Sequence, residues 1–175
     1  MENMSLKKSL DETQRIYRQI TERLIENNTS ISAMESCTSG LIASLVTDTA
    51  GASSVFRGSF VTYSNETKIR FGVPEEIITG FGVYSEETVT AMASAVRTAF
   101  RSDIGIGVSG SLGTADPNNP DSVPGEAWYA VCTKERQKQG KIVLPAGSTR
   151  FEDKLLVAAA VGVSILSLLN DMTSE

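Results

Sequence analysis

Six consecutive residues, Glu35-Ser36-Cys37-Thr38-Ser39-Gly40, bring together a carboxylate, three hydroxyls and a thiol. They follow a short apolar run, Ser30 to Met34, that reads as a strand. A serine hydroxyl is a weak nucleophile at its free pKa and needs a neighbouring base. The chain contains no histidine, so a Ser-His-Asp relay is excluded. The remaining bases are carboxylates, Tyr and Lys, and the segment Thr62-Tyr63-Ser64-Asn65-Glu66-Thr67-Lys68 supplies one of each. A lysine serves when desolvation or a nearby charge lowers its pKa, and Ser-Lys variants of the triad logic are known. The competing reading of Ser36 and Thr38 is structural, because Ser and Thr are common helix N-caps.

The elements around these residues can be read from hydrophobic periodicity. Leu10 to Glu26 reads as an amphipathic helix ended by Asn27-Asn28-Thr29, and Ser30 to Met34 as a strand. Ser39 to Thr49 forms a second helix, so Ser36 lies where strand gives way to helix. Such a turn exposes backbone N–H groups beside a positive helix end, which suits a developing oxyanion. Cys37 is a rival nucleophile, since a thiol near a helix N-terminus has a lowered pKa. The plainer reading of Cys37 is a small buried core residue, and Cys132, within an apolar strand, reads as core.

Val55 to Tyr63 alternates and reads as a strand. Ser64 then caps a helix with an acid in its first turn and Lys68 one turn on. A lysine there meets a repulsive dipole that lowers its pKa; the plainer reading is a solvated surface lysine. Gly72 and Pro74 punctuate the chain, and Ser85 opens a helix running to Ser102. Ile104 to Val108 is a strand with glycine at alternate positions, which lets another element pack close. Ser109 to Gly125 reads as a long loop, and Ser109-Gly110-Ser111-Leu112-Gly113-Thr114 could cradle a phosphate or carboxylate. Ala127 to Thr133 is a strand, Lys134 to Gly140 a hairpin loop and Lys141 to Leu144 an edge strand. The last helix starts near Ser148, with Arg150 and Lys154 as anion ligands or surface cations.

The chain has 175 residues and a formal net charge of −5. That length fits one domain, and the charge argues against nucleic-acid binding. Two cysteines without histidine argue against a zinc site. With no secretory signal, the expectation is a cytoplasmic protein with reduced thiols. No apolar run reaches the roughly 18 residues of a membrane span, and Leu155 to Leu169 reads as a core helix. Alternating helices and strands predict a layered α/β domain over residues 10–172, with a flexible N-terminus at 1–9.

Taken together, these segments resemble the CinA C-terminal domain family, the nicotinamide-mononucleotide amidohydrolases, often described as competence/damage-inducible proteins. Residues 35–40, ESCTSG, resemble the family's ESCTGG. TDTAGASSVFRGSFVTYSNETK at 47–68 is similar to its TD-x-x-GSS-x-x-F-x-G-x-x-x-YSN-x-x-K. FGV at 71–73 and GVYSEETVTAMA at 82–93 resemble its LGV and GAVSEET-x-x-x-MA. VSGSLG at 108–113 and GSTRFEDK at 147–154 match more loosely. The similarity covers about residues 10 to 170. Ser39 stands where the family has the first Gly of a pair, SGSLGTADPNNP where it has TGIAGP-x-GG, and Ser148-Thr149-Arg150 where it has Gly-Asp-Arg.

The resemblance implies a three-layer α/β/α single domain with a mixed, mostly parallel sheet. It implies hydrolysis of nicotinamide mononucleotide to nicotinate mononucleotide and ammonia in pyridine-nucleotide salvage, without metal or cofactor. The family's nucleophile falls on Ser36 and its Lys and Tyr on Lys68 and Tyr63. Substrate contacts are expected from Glu35, Cys37, Thr38, Ser39, Gly40, Asn65, Ser109, Gly110, Ser111 and Arg150. The implied partners are a small-molecule nucleotide and further copies of the chain, as a homodimer or higher oligomer. The altered 109–120 loop motivates a second expectation: a catalytically weak or inactive nucleotide-binding or interaction module associated with competence or the DNA-damage response.

Overall fold

The computed structural model describes residues 2–120 and 122–173, with side chains from Leu6 onward. Five strands form one sheet in the order β2-β1-β3-β4-β5. They are β1 (Ile31–Glu35), β2 (Phe56–Val61), β3 (Ile104–Ser111), β4 (Glu126–Cys132) and β5 (Gln137–Val143). β1 pairs parallel with β2 and β3, and β4 pairs antiparallel with β3 and β5. Four strands therefore point one way and β4 alone is reversed, giving the expected mixed, mostly parallel sheet.

Helices cover both faces. α1 (Glu2–Glu26), α2 (Leu41–Thr47) and α6 (Arg150–Thr173) lie on one, and α4 (Glu75–Phe81) and α5 (Glu86–Phe100) on the other. β1 is buried at all five positions, and its side chains alternate between two cores. Ile31 and Ala33 meet Leu24, Val46, Val161 and Ile165, whereas Met34 meets Val89, Met92 and Val96. The result is the three-layer α/β/α domain that the alternation of elements predicts.

The alternate glycines of β3 have the expected cause. A Cβ on Gly105 would stand 2.1 Å from Ala93 O, and one on Gly107 2.1 Å from Val89 O. α5 thus rests directly on β3, and backbone cannot yield as a flexible side chain can. Gly107→Ala is expected to destabilise the domain by about 2–3 kcal/mol through overpacking. Chemical denaturation reads this, and an unchanged midpoint would contradict the close approach.

Several boundaries differ from the sequence reading. α1 starts at Glu2 rather than near Leu10, with Leu6 and Leu10 half-buried; Met1 lies outside the described residues. Pro74, read only as punctuation, is the N-cap of α4, with Glu75 and Glu76 in the first turn. β3 continues to Ser111 because its ladder with β4 carries on through Ser109↔Trp128 and Ser111↔Glu126. β5 begins at Gln137, inside the expected hairpin loop. Thr133 tightens that turn: its Oγ1 accepts from the Glu135 and Arg136 amides at 3.2 and 3.0 Å. By length and composition α6 could cross a bilayer. It lies instead on the sheet, with Leu155, Val157, Val161, Ile165 and Leu168 in the core.

Candidate active site

The site sits at the end of the parallel strands, where β1 runs into the turn before α2. Ser36 continues the ladder: its N–H donates to Val108 O at 3.0 Å, and Thr62 N–H donates to Glu35 O at 2.8 Å. The turn between the two elements has left-handed backbone at Ser39 (φ 54) and Gly40 (φ 93). Ser39, expected to contact substrate, is an exposed residue of this turn and lies outside the cavity at Ser36. Its conformation costs an L-residue about 1 kcal/mol. Ser39→Gly is expected to raise stability by about 0.5–1 kcal/mol, measured as a higher denaturation midpoint.

Glu35 was expected to touch substrate, and the structure corrects this. It is 0% exposed. Its Oε2 accepts from the Gly40 and Ile42 amides at 2.9 and 3.1 Å, and its Oε1 from the Ala43 amide at 2.9 Å. These are amides that a helix start leaves without partners, so Glu35 fixes α2 against β1 from behind. The same bonds remove the α2 terminus as an oxyanion ligand. Among the described residues the Cys37 and Thr38 amides donate to no oxygen, and that of Cys37 bonds its own thiol.

Lys68 meets Ser36 from α3 (Asn65–Arg70). Ser64 caps that helix as expected, with Thr67 N–H donating to Ser64 Oγ at 3.2 Å and Ser64 N–H to Thr67 Oγ1 at 3.3 Å. The capped turn aims Lys68 inward, where it is 2% exposed. Its Nζ donates to Ser36 Oγ at 3.1 Å and to Thr62 O at 2.9 Å. Burial pushes its pKa down to about 8. Desolvation, not the helix dipole assumed from sequence, is therefore the leading cause. Ser109 was expected to bind phosphate, yet it is fully buried on β3. Its Oγ and that of Thr62 are buried hydroxyls with no partner among the described residues.

A cavity of about 450 Å³ opens onto Ser36. Its wall includes Cys37, Tyr63, Asn65, Gly110, Ser111 and Arg150. Tyr63 is 63% exposed, and its Oη accepts from Arg150 Nη2 at 3.0 Å. Among the described residues it makes no hydrogen bond to Ser36 or Lys68, and it stands on the rim of the cavity. Arg150 Nη1 donates to Leu112 O at 2.8 Å, which ties α6 to the loop after β3. Cys37 is buried and its thiol is pushed up to about 12, chiefly by desolvation. It stays protonated, and the rival-nucleophile reading falls. Thr38 and Gly40 lie outside the cavity wall, and Thr38 is buried. The sequence reading missed Tyr84, Asp116 and Asn119 in the wall. The signal was present as Asp116-Pro117-Asn118-Asn119, a turn-forming run.

A family model, the CinA C-terminal domain, matches residues 13–165. The chain belongs to this family. Among its relatives, the nicotinamide-nucleotide amidohydrolase PncC of Escherichia coli K12 is 36% identical over 123 residues, covering 70% of this chain and 74% of that protein. A CinA-like protein of Fervidobacterium nodosum is 44% identical over 115 residues, 65% of this chain. The chain spans 28% of that protein and 36% of the CinA-like protein of Cytophaga hutchinsonii. The competence/damage inducible protein CihA of Agrobacterium tumefaciens superposes with a TM-score of 0.81 at 26% identity, over 91% of this chain and 96% of that one. A CinA superfamily protein of Klebsiella pneumoniae gives 0.83 at 19% identity, over 91% and 98%; at that identity the likeness is one of fold. The Ser36–Lys68 pair and its cavity thus sit on the fold of CinA-family domains.

Proposed function

We propose that the chain is an amidohydrolase that converts nicotinamide mononucleotide to nicotinate mononucleotide and ammonia, with Ser36 as nucleophile and Lys68 as base. The observation that carries this reading is the 3.1 Å contact between a buried lysine and the serine hydroxyl. The similarity to PncC supports the substrate.

In this reading the neutral Lys68 amine takes the Ser36 proton as Oγ attacks the carboxamide carbon. The carbonyl oxygen becomes an oxyanion at the turn after Ser36, where backbone amides stabilise it. Lys68 returns its proton to the nitrogen, the C–N bond breaks, and ammonia leaves an acyl-Ser36. Water then attacks the acyl carbon and gives its proton to Lys68. The acid is released as Ser36 Oγ regains that proton. Arg150 on the rim holds the phosphate, as a guanidinium suits such an anion. Tyr63 keeps that guanidinium in position. An intact pair of this kind supports turnover over a purely binding role.

Ammonia and nicotinate mononucleotide are measured from nicotinamide mononucleotide with wild type and Ser36→Ala. Turnover in the first and none in the second is expected. Equal turnover in both would remove Ser36 as the nucleophile.

A further inference from the structure

Two residues of the cavity wall carry full charges at neutral pH among the described residues: Asp116 and Arg150. Burial pushes the Cys37 thiol and the Tyr84 phenol up, the latter aided by its bond to Asp116. Lys68 lies behind Ser36 and is not part of the wall.

The Asp116 carboxylate is firmly held. Oδ2 accepts from Tyr84 Oη at 2.7 Å and from Asn119 Nδ2 at 2.6 Å, and Oδ1 accepts from Asn118 N–H at 2.9 Å. Its own N–H donates to Ser122 Oγ at 2.8 Å. These bonds, that from Tyr84 first, hold its pKa below the usual carboxylate value. Asn119 Oδ1 accepts in turn from Asn65 Nδ2 at 2.7 Å, which couples the loop to the helix bearing Lys68. A pinned carboxylate bonded to Tyr84, in the same cavity wall as Tyr63, favours a cation, because aromatic faces and negative charge both attract one.

We propose that Asp116 is a specificity-determining residue that selects amides borne on a cationic ring, while Arg150 takes the substrate's anionic end. The proposal rests on the mononucleotide reading above. A pyridinium mononucleotide has this dipolar character. Its dihydro form keeps the amide, sugar and phosphate but has an uncharged ring.

Binding of the two forms is measured by calorimetry in a Ser36→Ala background, which prevents turnover. The parent is expected to prefer the cationic ring by about 10-fold, the scale of one well-placed charge contact. Adding Asp116→Asn keeps the shape and should reduce the preference to about 2-fold, by weakening the cationic form alone. Asp116→Glu should retain a preference. Equal weakening of both forms by Asp116→Asn would make the residue a loop anchor only and overturn the proposal, as would an undiminished preference. Equal binding of both forms by the parent would overturn charge selection and leave the mononucleotide reading standing. Binding of neither form would overturn both.

Discussion

Lys68→Met is expected to abolish turnover and to leave a protein more stable than wild type at pH 7. The activity loss follows from the contact geometry, since no other amine bonds to Ser36 Oγ among the described residues. Removing a general base from such a unit costs about 10³-fold or more. The stability gain follows from burial. Lys68 is 2% exposed and its pKa falls from 10.5 to about 8 on folding. Between those values the unfolded chain binds more protons than the folded one, so wild-type stability rises with pH across that window. Below about pH 8 the cost of burying an ammonium is present in full, of the order of 3 kcal/mol. Methionine fills similar volume without that cost. Urea melts at pH 7 should show Lys68→Met ahead by about 1–3 kcal/mol, with the gap closing towards pH 10.5. A destabilised, still active variant would contradict both halves.

Glu35→Ala is expected to have the largest effect on folding. The carboxylate accepts three backbone amides at the start of α2 and does not line the cavity at Ser36. Truncation leaves those donors buried without partners, at about 1–3 kcal/mol each before relaxation. A net loss of about 3–5 kcal/mol is therefore expected, with α2 loosened against β1. Ser36 opens the turn that these bonds secure, so activity should fall at temperatures where the variant is still folded. Glu35→Gln keeps an acceptor and should fall between. Denaturation midpoints read the ranking Glu35, Gln, Ala; an alanine variant within 1 kcal/mol of wild type, less than one unmet amide costs, would show that the amides find other partners.

The Ser36–Lys68 contact was legible in part from local signals, beside the family resemblance. Missing histidine left lysine as a base, and Ser64 marks the cap that turns Lys68 inward. The alternating glycines of β3 likewise announced a close approach, with α5 now seen as its cause. What stayed hidden depends on long-range pairing. Ser109-Gly110-Ser111 has loop composition, yet the ladder to Trp128, Ala127 and Glu126 makes it strand and buries Ser109. Glu35 lies next to Ser36 in sequence, but strand alternation sends its side chain to the opposite face. Asp116 acquires a role through Tyr84, which is 32 residues away.

The most direct test is kcat/KM for nicotinamide-mononucleotide hydrolysis from pH 6 to 10, with wild type and Ser36→Ala side by side. Wild-type turnover should climb as Lys68 loses its proton, reach half its maximum near pH 8, and be absent throughout in Ser36→Ala. Turnover that ignores pH over this range, or that survives in Ser36→Ala, would contradict a Ser36 nucleophile activated by Lys68.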